Sequence, residues 1–250
     1  MSDSKFIDTP QGRRIAYHKT EGAGPCVVFL GGLKSDMMGT KAVYLEDWAR
    51  AEGRAFLRFD YSGHGESSGS FAEGCIGDWH EDTLAAVTAV TEGPLIVVGS
   101  SMGGWQALLL ARQRPERIAG LVGIAAAPDF TEDGYWANFT EAQKQTLAEV
   151  GQVELPSDYM EPYVITRRMI EDGRKRLVLR EALDLPFPVR LLQGTADTAV
   201  STATAVRLLE HAQSPDMQLT LVKDADHRFS DARCLAMIVA AINEVTGREG

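Results

Sequence analysis

Ser101 sits at the centre of Gly99-Ser100-Ser101-Met102-Gly103, a G-x-S-x-G pentapeptide in which the middle hydroxyl is placed to attack. The flanks decide how much the pattern means. Before it runs the short apolar stretch Leu95-Ile96-Val97-Val98, behind the turn pair Gly93-Pro94. After it, Gly104 to Arg112 is rich in helix formers. Strand, tight turn and helix in that order predict a nucleophile elbow. There the serine backbone is strained, and side chains at Gly99 and Gly103 would collide across the turn. The serine meets the amino end of a helix, so the Met102 N–H points at any oxyanion that forms. Ser100 lies off the apex and is not the nucleophile. The competing reading is a chance match in a Gly- and Ser-rich turn; the strand and helix argue against it.

A serine hydroxyl needs a base within hydrogen-bond reach to attack at neutral pH. Five histidines compete: His18, His64, His80, His211 and His227. His227, in Asp224-Ala225-Asp226-His227-Arg228, follows the last strand pattern and precedes the last helix, which is where the chain order Ser, Asp, His puts a base. His18 falls in an early strand. His80 and His211 fall on helices, as surface or packing residues. His64, in the Gly-rich turn Asp60-Tyr61-Ser62-Gly63-His64-Gly65, can reach the site rim and is the second choice. Asp197 comes directly after a buried strand and can fix the tautomer of His227 across a strand end. Asp226 diverges from its neighbour His227 and reads as exposed or loop-bracing. Asp60 precedes Ser101 and reads as a brace for Tyr61 to Gly65. For the second oxyanion donor beside Met102, the turn Gly31-Gly32-Leu33 offers Leu33 N–H, because two glycines let the backbone approach the reacting carbonyl. Gly32, Trp105 and Trp136 are expected to touch the substrate.

The elements that must position these residues alternate. Arg14–Tyr17, Pro25–Leu30, Arg54–Phe59, Leu95–Gly99, Ile118–Ala125, Val189–Gly194 and Met217–Val222 read as strands. Lys41–Glu52, Asp78–Thr91, Met102–Arg112, Thr202–Ala212 and Asp231–Thr246 read as helices. Continuous apolar strands between amphipathic helices predict a mostly parallel sheet covered on both faces. Pro128 to Asp184 breaks the rhythm. It carries Tyr135, Trp136, Phe139, Tyr159 and Tyr163, helical patches and no clear strand. Placed after the strand Ile118–Ala125, it would sit above the carboxyl edge of the sheet, where ligands bind, and it reads as a lid with aromatics lining an apolar pocket. The rival is a solvated excursion that packs on itself.

The remaining composition mostly excludes. The 250 residues suit one α/β domain, 1–250, with the lid inserted at about 128–184. A net charge of −10 with no Lys/Arg cluster argues against nucleic acid and anionic membranes. No apolar run approaches the ~20 residues of a membrane helix. Met1-Ser2-Asp3-Ser4-Lys5 has neither the apolar core of a secretory signal nor an Arg-rich transit face, so a cytoplasmic protein is expected. Cys26, Cys75 and Cys234 are far apart, which suits a reducing compartment and offers no metal site. With no phosphate loop or dinucleotide fingerprint, no metal and no cofactor are expected.

Taken together, the chain resembles the α/β-hydrolase superfamily over nearly its whole length. Four stretches narrow the resemblance: Phe29-Leu30-Gly31-Gly32-Leu33-Lys34-Ser35-Asp36-Met37-Met38-Gly39-Thr40-Lys41-Ala42, Arg58-Phe59-Asp60-Tyr61-Ser62-Gly63, Gly99-Ser100-Ser101-Met102-Gly103-Gly104-Trp105, and Asp226-His227-Arg228. They are similar to the mitochondrial acyl-protein thioesterases (depalmitoylases), a family also described as mycophenolic acid acyl-glucuronide esterases. The resemblance implies an α/β-hydrolase fold with a helical lid and a triad of Ser101, Asp197 and His227. It implies cleavage of an acyl thioester or carboxylic ester, on a small molecule or an acylated protein, through an acyl-enzyme. The lid diverges from that family. The absence of a transit segment implies a bacterial or cytosolic relative. The alternatives are a small-molecule carboxylesterase, C–C bond hydrolysis or cofactor-free perhydrolysis, and a non-catalytic ligand-binding member of the fold. Dehalogenase and epoxide hydrolase chemistry is disfavoured, because those routes use an aspartate where this chain has Ser101.

Overall fold

The computed structural model describes residues 3–155 and 163–247. Strands that can be buried on both faces make the middle of its sheet. They are β3 (Ala23–Leu30), β4 (Arg54–Phe59), β5 (Leu95–Ser100), β6 (Ile118–Ile124) and β9 (Val189–Gly194). Every residue of β4, β5 and β9 is buried. With β1 (Lys5–Asp8), β2 (Arg14–Thr20) and β10 (Met217–Val222), they form an eight-stranded sheet in the order β1-β2-β4-β3-β5-β6-β9-β10. The pairs from β4 to β10 are parallel. β1 and β2 join antiparallel at one edge.

The two-residue period of the strands divides the apolar residues between two faces. Val28, Leu30, Leu95 and Val97 face α2 (Ile76–Val90), α3 (Met102–Gln113) and α6 (Thr202–His211). Val27, Phe29, Ile96 and Val98 face α1 (Thr40–Ala51) and α7 (Ala232–Val245). This is the mostly parallel sheet flanked by helices that the alternation predicts. A buried ion pair crosses from sheet to helix: Arg58 of β4 donates from Nε to Glu46 of α1 at 2.8 Å.

Two expectations need correction. β1 was not foreseen, because a four-residue edge strand with Phe6 exposed carries no apolar run. The segment 128–184 does contain strands: β7 (Gln152–Leu155) and β8 (Tyr163–Thr166) pair antiparallel as a second, two-stranded sheet. Each is four residues long and only partly buried, too short to show an alternation. The rest of the segment holds a wide helical turn over Phe130–Trp136, α4 (Glu141–Val150) and α5 (Arg167–Gly173). A reciprocal cap between Thr140 and Gln143 starts α4. Tyr159 lies outside the described residues.

Candidate active site

The elbow forms because α3 starts where β5 ends, with no connecting loop. Ser101 takes up the reversal at φ +55° and ψ −118°, a conformation a non-glycine residue rarely holds. Surrounding contacts force it. A Cβ on Gly99 would lie 2.3 Å from the Gly103 carbonyl oxygen, and one on Gly103 would lie 2.0 Å from the Leu30 carbonyl oxygen. The helix is therefore pressed directly onto the end of β3. Ser101 N–H donates to Ile124 O at 2.9 Å, and Ser101 O accepts from Gly104 and Ala127 at 2.9 and 3.1 Å.

His227 reaches the serine from the loop between β10 and α7. Its Nε2 is 3.1 Å from Ser101 Oγ, and its Nδ1 is 2.8 Å from Asp197 Oδ2. Asp197 follows β9, and its carboxylate has no exposed surface, whereas the imidazole is 31% exposed. Burial alone would raise the Asp197 pKa. Donation from His227, Val200 N–H and Gln193 outweighs it and holds the carboxyl below its ordinary value. With an ionised acceptor at Nδ1, that nitrogen carries the proton and Nε2 accepts from the serine hydroxyl. Lys41, from α1, donates Nζ to the Arg228 carbonyl and so ties the base loop to the helix. Burial lowers its pKa to about 8.

The turn after β3 runs against the serine. A Cβ on Gly32 would be 3.4 Å from Ser101 Cβ, and Ser35 N–H closes the turn on Gly32 O at 3.1 Å. Leu33 is inside this turn. Met102 is the first residue of α3, where backbone N–H groups have no acceptor within the helix. The turn that holds Leu33 and the start of α3 at Met102 thus both adjoin Ser101.

Residues 25–172 match the serine aminopeptidase S33 family. The mitochondrial palmitoyl-protein thioesterase ABHD10 of Rattus norvegicus is 35% identical over 96% of this chain and 81% of its own length. The chain belongs to the α/β-hydrolase superfamily. Two solved structures agree with it over nearly every residue. A putative hydrolase from Agrobacterium vitis superposes with a TM-score of 0.92 and 39% identity, covering 98% of both chains. Mouse ABHD10 superposes with a TM-score of 0.91 and 34% identity, covering 98% of this chain and 99% of that one. This α/β-hydrolase is a serine hydrolase. The ABHD10 relatives are mitochondrial by name, which gives the cytoplasmic expectation no support. Among the described residues no helix is long and apolar enough to cross a membrane, and no group of three or more His, Cys, Asp or Glu could hold a metal ion.

Other expected residues of the α/β-hydrolase lie elsewhere. Trp105 is 0% exposed and donates Nε1 to the Arg176 carbonyl at 3.1 Å, with its ring edge-on to Phe130. It anchors the segment 128–184 to α3 rather than lining an open pocket, because α3 is buried along nearly its whole length. Trp136 is half-buried, and its described ring contacts, Phe139, Arg174 and Lys144, all belong to that same segment. His18, His80 and His211 bind Ser4, Gln113 and the Glu181 carbonyl. His64 Nε2 accepts from Lys34 N–H. Asp226 accepts Phe229 N–H and Asp60 accepts Glu66 N–H, both as loop braces. Burial pushes Cys26 and Cys234 up to about 11 and Cys75 up to about 12, so none supplies a thiolate at neutral pH.

Gln193 was missed. It is wholly buried in β9, and its Nε2 donates to Asp197 Oδ2 and Val200 O, each at 3.0 Å. The signal is a lone amide directly after Leu191-Leu192, four residues before Asp197.

Proposed function

We propose that this serine hydrolase cleaves acyl thioesters or carboxylic esters through an acyl-enzyme on Ser101. The unbroken chain Ser101 Oγ–His227–Asp197, with links of 3.1 and 2.8 Å, carries the reading. Oγ attacks the acyl carbonyl while His227 Nε2 takes its proton. The tetrahedral oxyanion accepts from Leu33 N–H and Met102 N–H. When it collapses, the bond to the thiol or alcohol breaks and His227 protonates that leaving group. Water then repeats the sequence on the acyl-enzyme and releases the carboxylic acid. Asp197 stays ionised, orients the ring and stabilises the imidazolium. Each oxyanion donor of this kind typically contributes ~2.7–4 kcal/mol to the transition state.

The segment 128–184 acts as a lid in the single domain. Phe130, Tyr135, Trp136 and Phe139 form a contiguous aromatic row there, and an acyl chain is the ligand such a surface favours. The thioesterase name of the ABHD10 relatives supports a long-chain acyl group on protein or small-molecule thiol. Three free, buried cysteines suit a reducing compartment.

The test is kcat/KM across acyl thioesters, alkyl esters and acyl glucuronides from acetyl to palmitoyl, with Ser101→Ala as control. Long-chain thioesters should lead the panel. Ser101→Ala should lose roughly 10⁶-fold in kcat and all fluorophosphonate labelling. Burst kinetics retained in that variant would sink the mechanism. A preference for short esters would keep the mechanism and overturn the thioesterase assignment.

A further inference from the structure

The turn Asp60 to Gly65 is not used by the mechanism above, yet it is built to tight tolerances. His64 is 4% exposed, and edge-on contacts with Tyr61, Phe71 and Trp79 fix its ring plane. Both ring nitrogens have partners. Nδ1 lies 3.1 Å from the Ser62 carbonyl oxygen, and Nε2 lies 3.1 Å from the Lys34 backbone nitrogen. A carbonyl only accepts and a backbone N–H only donates. Together they specify the neutral ring with its proton on Nδ1.

Lys34 is the residue after Leu33. It sits at φ +57°, the left-handed region that a side chain disfavours. An outside contact must hold such a turn, and the acceptor at His64 Nε2 is that contact. The glycines on either side of His64 let the turn close against its neighbours. A Cβ on Gly63 would lie 2.7 Å from the backbone of Ser70 and Phe71, and one on Gly65 would lie 2.1 Å from Asp60 Oδ2. Asp60 completes the brace. Its Oδ1 accepts Met37 N–H at 2.6 Å and its Oδ2 accepts Glu66 N–H at 2.8 Å. The segment after β3 is thus held at Lys34 by His64 and at Met37 by Asp60.

We propose that His64 is a positioning residue for the oxyanion turn: its Nε2 holds the Lys34 N–H, one peptide beyond Leu33, so that the Leu33 N–H faces the tetrahedral oxyanion. The proposal rests on Leu33 serving as an oxyanion donor.

The experiment compares His64→Leu, which removes the acceptor, with His64→Gln, whose amide oxygen can take the place of Nε2. Each variant is measured for melting temperature, kcat, KM and the inhibition constant of a trifluoromethyl ketone, whose hemiketal places an oxyanion in the hole. His64→Leu should fold and keep its KM. It should lose on the order of 10²-fold in both kcat and ketone affinity, as when one oxyanion donor is lost. His64→Gln should recover most of that loss. A folded His64→Leu that binds the ketone as tightly as wild type would overturn the proposal and leave the hydrolase mechanism standing. Equal loss in both variants, following melting temperature alone, would reduce His64 to a packing residue. Failure of the wild-type protein to form the hemiketal would remove the underlying mechanism instead. Nitrogen-15 NMR of the wild-type imidazole needs no variant: the Nδ1–H tautomer is expected, and an Nε2–H tautomer would overturn the proposal even if His64→Leu fails to fold.

Discussion

The sheet edge at Ser101 and the inserted segment 128–184 are held by different forces. At the edge, backbone meets backbone with no room for a methyl group at Gly99 or Gly103. The buried Asp197 carboxylate there accepts from Ala199, Val200, Gln193 and His227. The insertion buries Phe139, Leu147, Ile165, Met169 and Ile170 against the core, and charge adds further ties across its surface. Asp129 accepts Val178 and Leu179 N–H at 2.8 and 3.0 Å, Glu132 meets Arg174 at 2.6 Å, and Asp133 lies between Arg180 and Arg207. Steric fit fixes a geometry to a few tenths of an ångström, whereas exposed ion pairs can be exchanged at little cost. The insertion can therefore diverge to suit a substrate while the reacting groups stay in place.

The largest effect that separates the two regions belongs to Asp197→Asn. The amide would push its NH₂ group at His227 Nδ1 and select the wrong tautomer, with the same shape and packing. A loss of about 10⁴-fold in kcat is expected, with the melting temperature little changed. A loss below tenfold would show that Asp197 does not orient the base.

Alanine at two glycines compares the regions directly. On Gly103 the new methyl meets the Leu30 and Gly31 carbonyls, so α3 or β3 must move. Overpacking of this kind costs about 1–3 kcal/mol or more and should take the elbow's activity with it. On Gly134, within the insertion, the nearest atom is Phe130 Cβ at 3.6 Å, an ordinary contact, and a change within about 0.5 kcal/mol is expected. Urea midpoints of the two variants decide it; equal shifts would end the contrast.

The same contrast sets how much of the molecule is legible in its sequence. β4, β9 and β10 fall on their expected residues: β4 and β9 are buried at every position and mostly apolar, and the edge strand β10 alternates Met217, Leu219 and Leu221 with Gln218 and Thr220. Ser101, Asp197 and His227 are legible because each follows the carboxyl end of a parallel strand, β5, β9 or β10, where topology fixes its place on the sheet edge. The hairpin β7–β8 was not legible. Its two strands are four residues each, too short for either period or composition to mark them. The setting of Trp105 is not legible for a related reason: sequence puts it one helical turn from Ser101 but does not say that the insertion covers that face of α3. His64 was read as a ring able to reach the rim. Which donor it would accept depends on the left-handed turn at Lys34, and a lysine there carries no signal of positive φ.

The insertion's strongest single tie should be Asp129, whose side chain has no exposed surface. Asn at this position keeps one acceptor but turns its NH₂ toward one of two buried backbone N–H groups. Leaving such a group unpaired costs ~1–3 kcal/mol. In Asp129→Asn, hydrogen exchange at Val178 and Leu179 should accelerate before exchange in β5 does. Equal acceleration in both would mean that the insertion and the sheet unfold as one unit.

The smallest effect concerns Asp133. Burial alone would raise its pKa, but donation from Arg180 and Arg207 outweighs it and holds the carboxyl below the ordinary value. A depressed folded value means that the unfolded chain binds the proton first as pH falls. The stabilisation is therefore complete above the unfolded value of ~3.9 and is lost as pH drops through the folded one. The carboxylate is 31% exposed and both arginines more so, and screening limits the gain to less than about 1 kcal/mol. The difference in melting temperature between wild type and Asp133→Asn should be greatest at neutral pH and low salt, and should close toward pH 3. Titration of Asp129 is common to both proteins and cancels in that difference. A gap that stays constant with both pH and salt would mean that packing, not charge, holds this part of the insertion, and the division between the two regions would fail at that point.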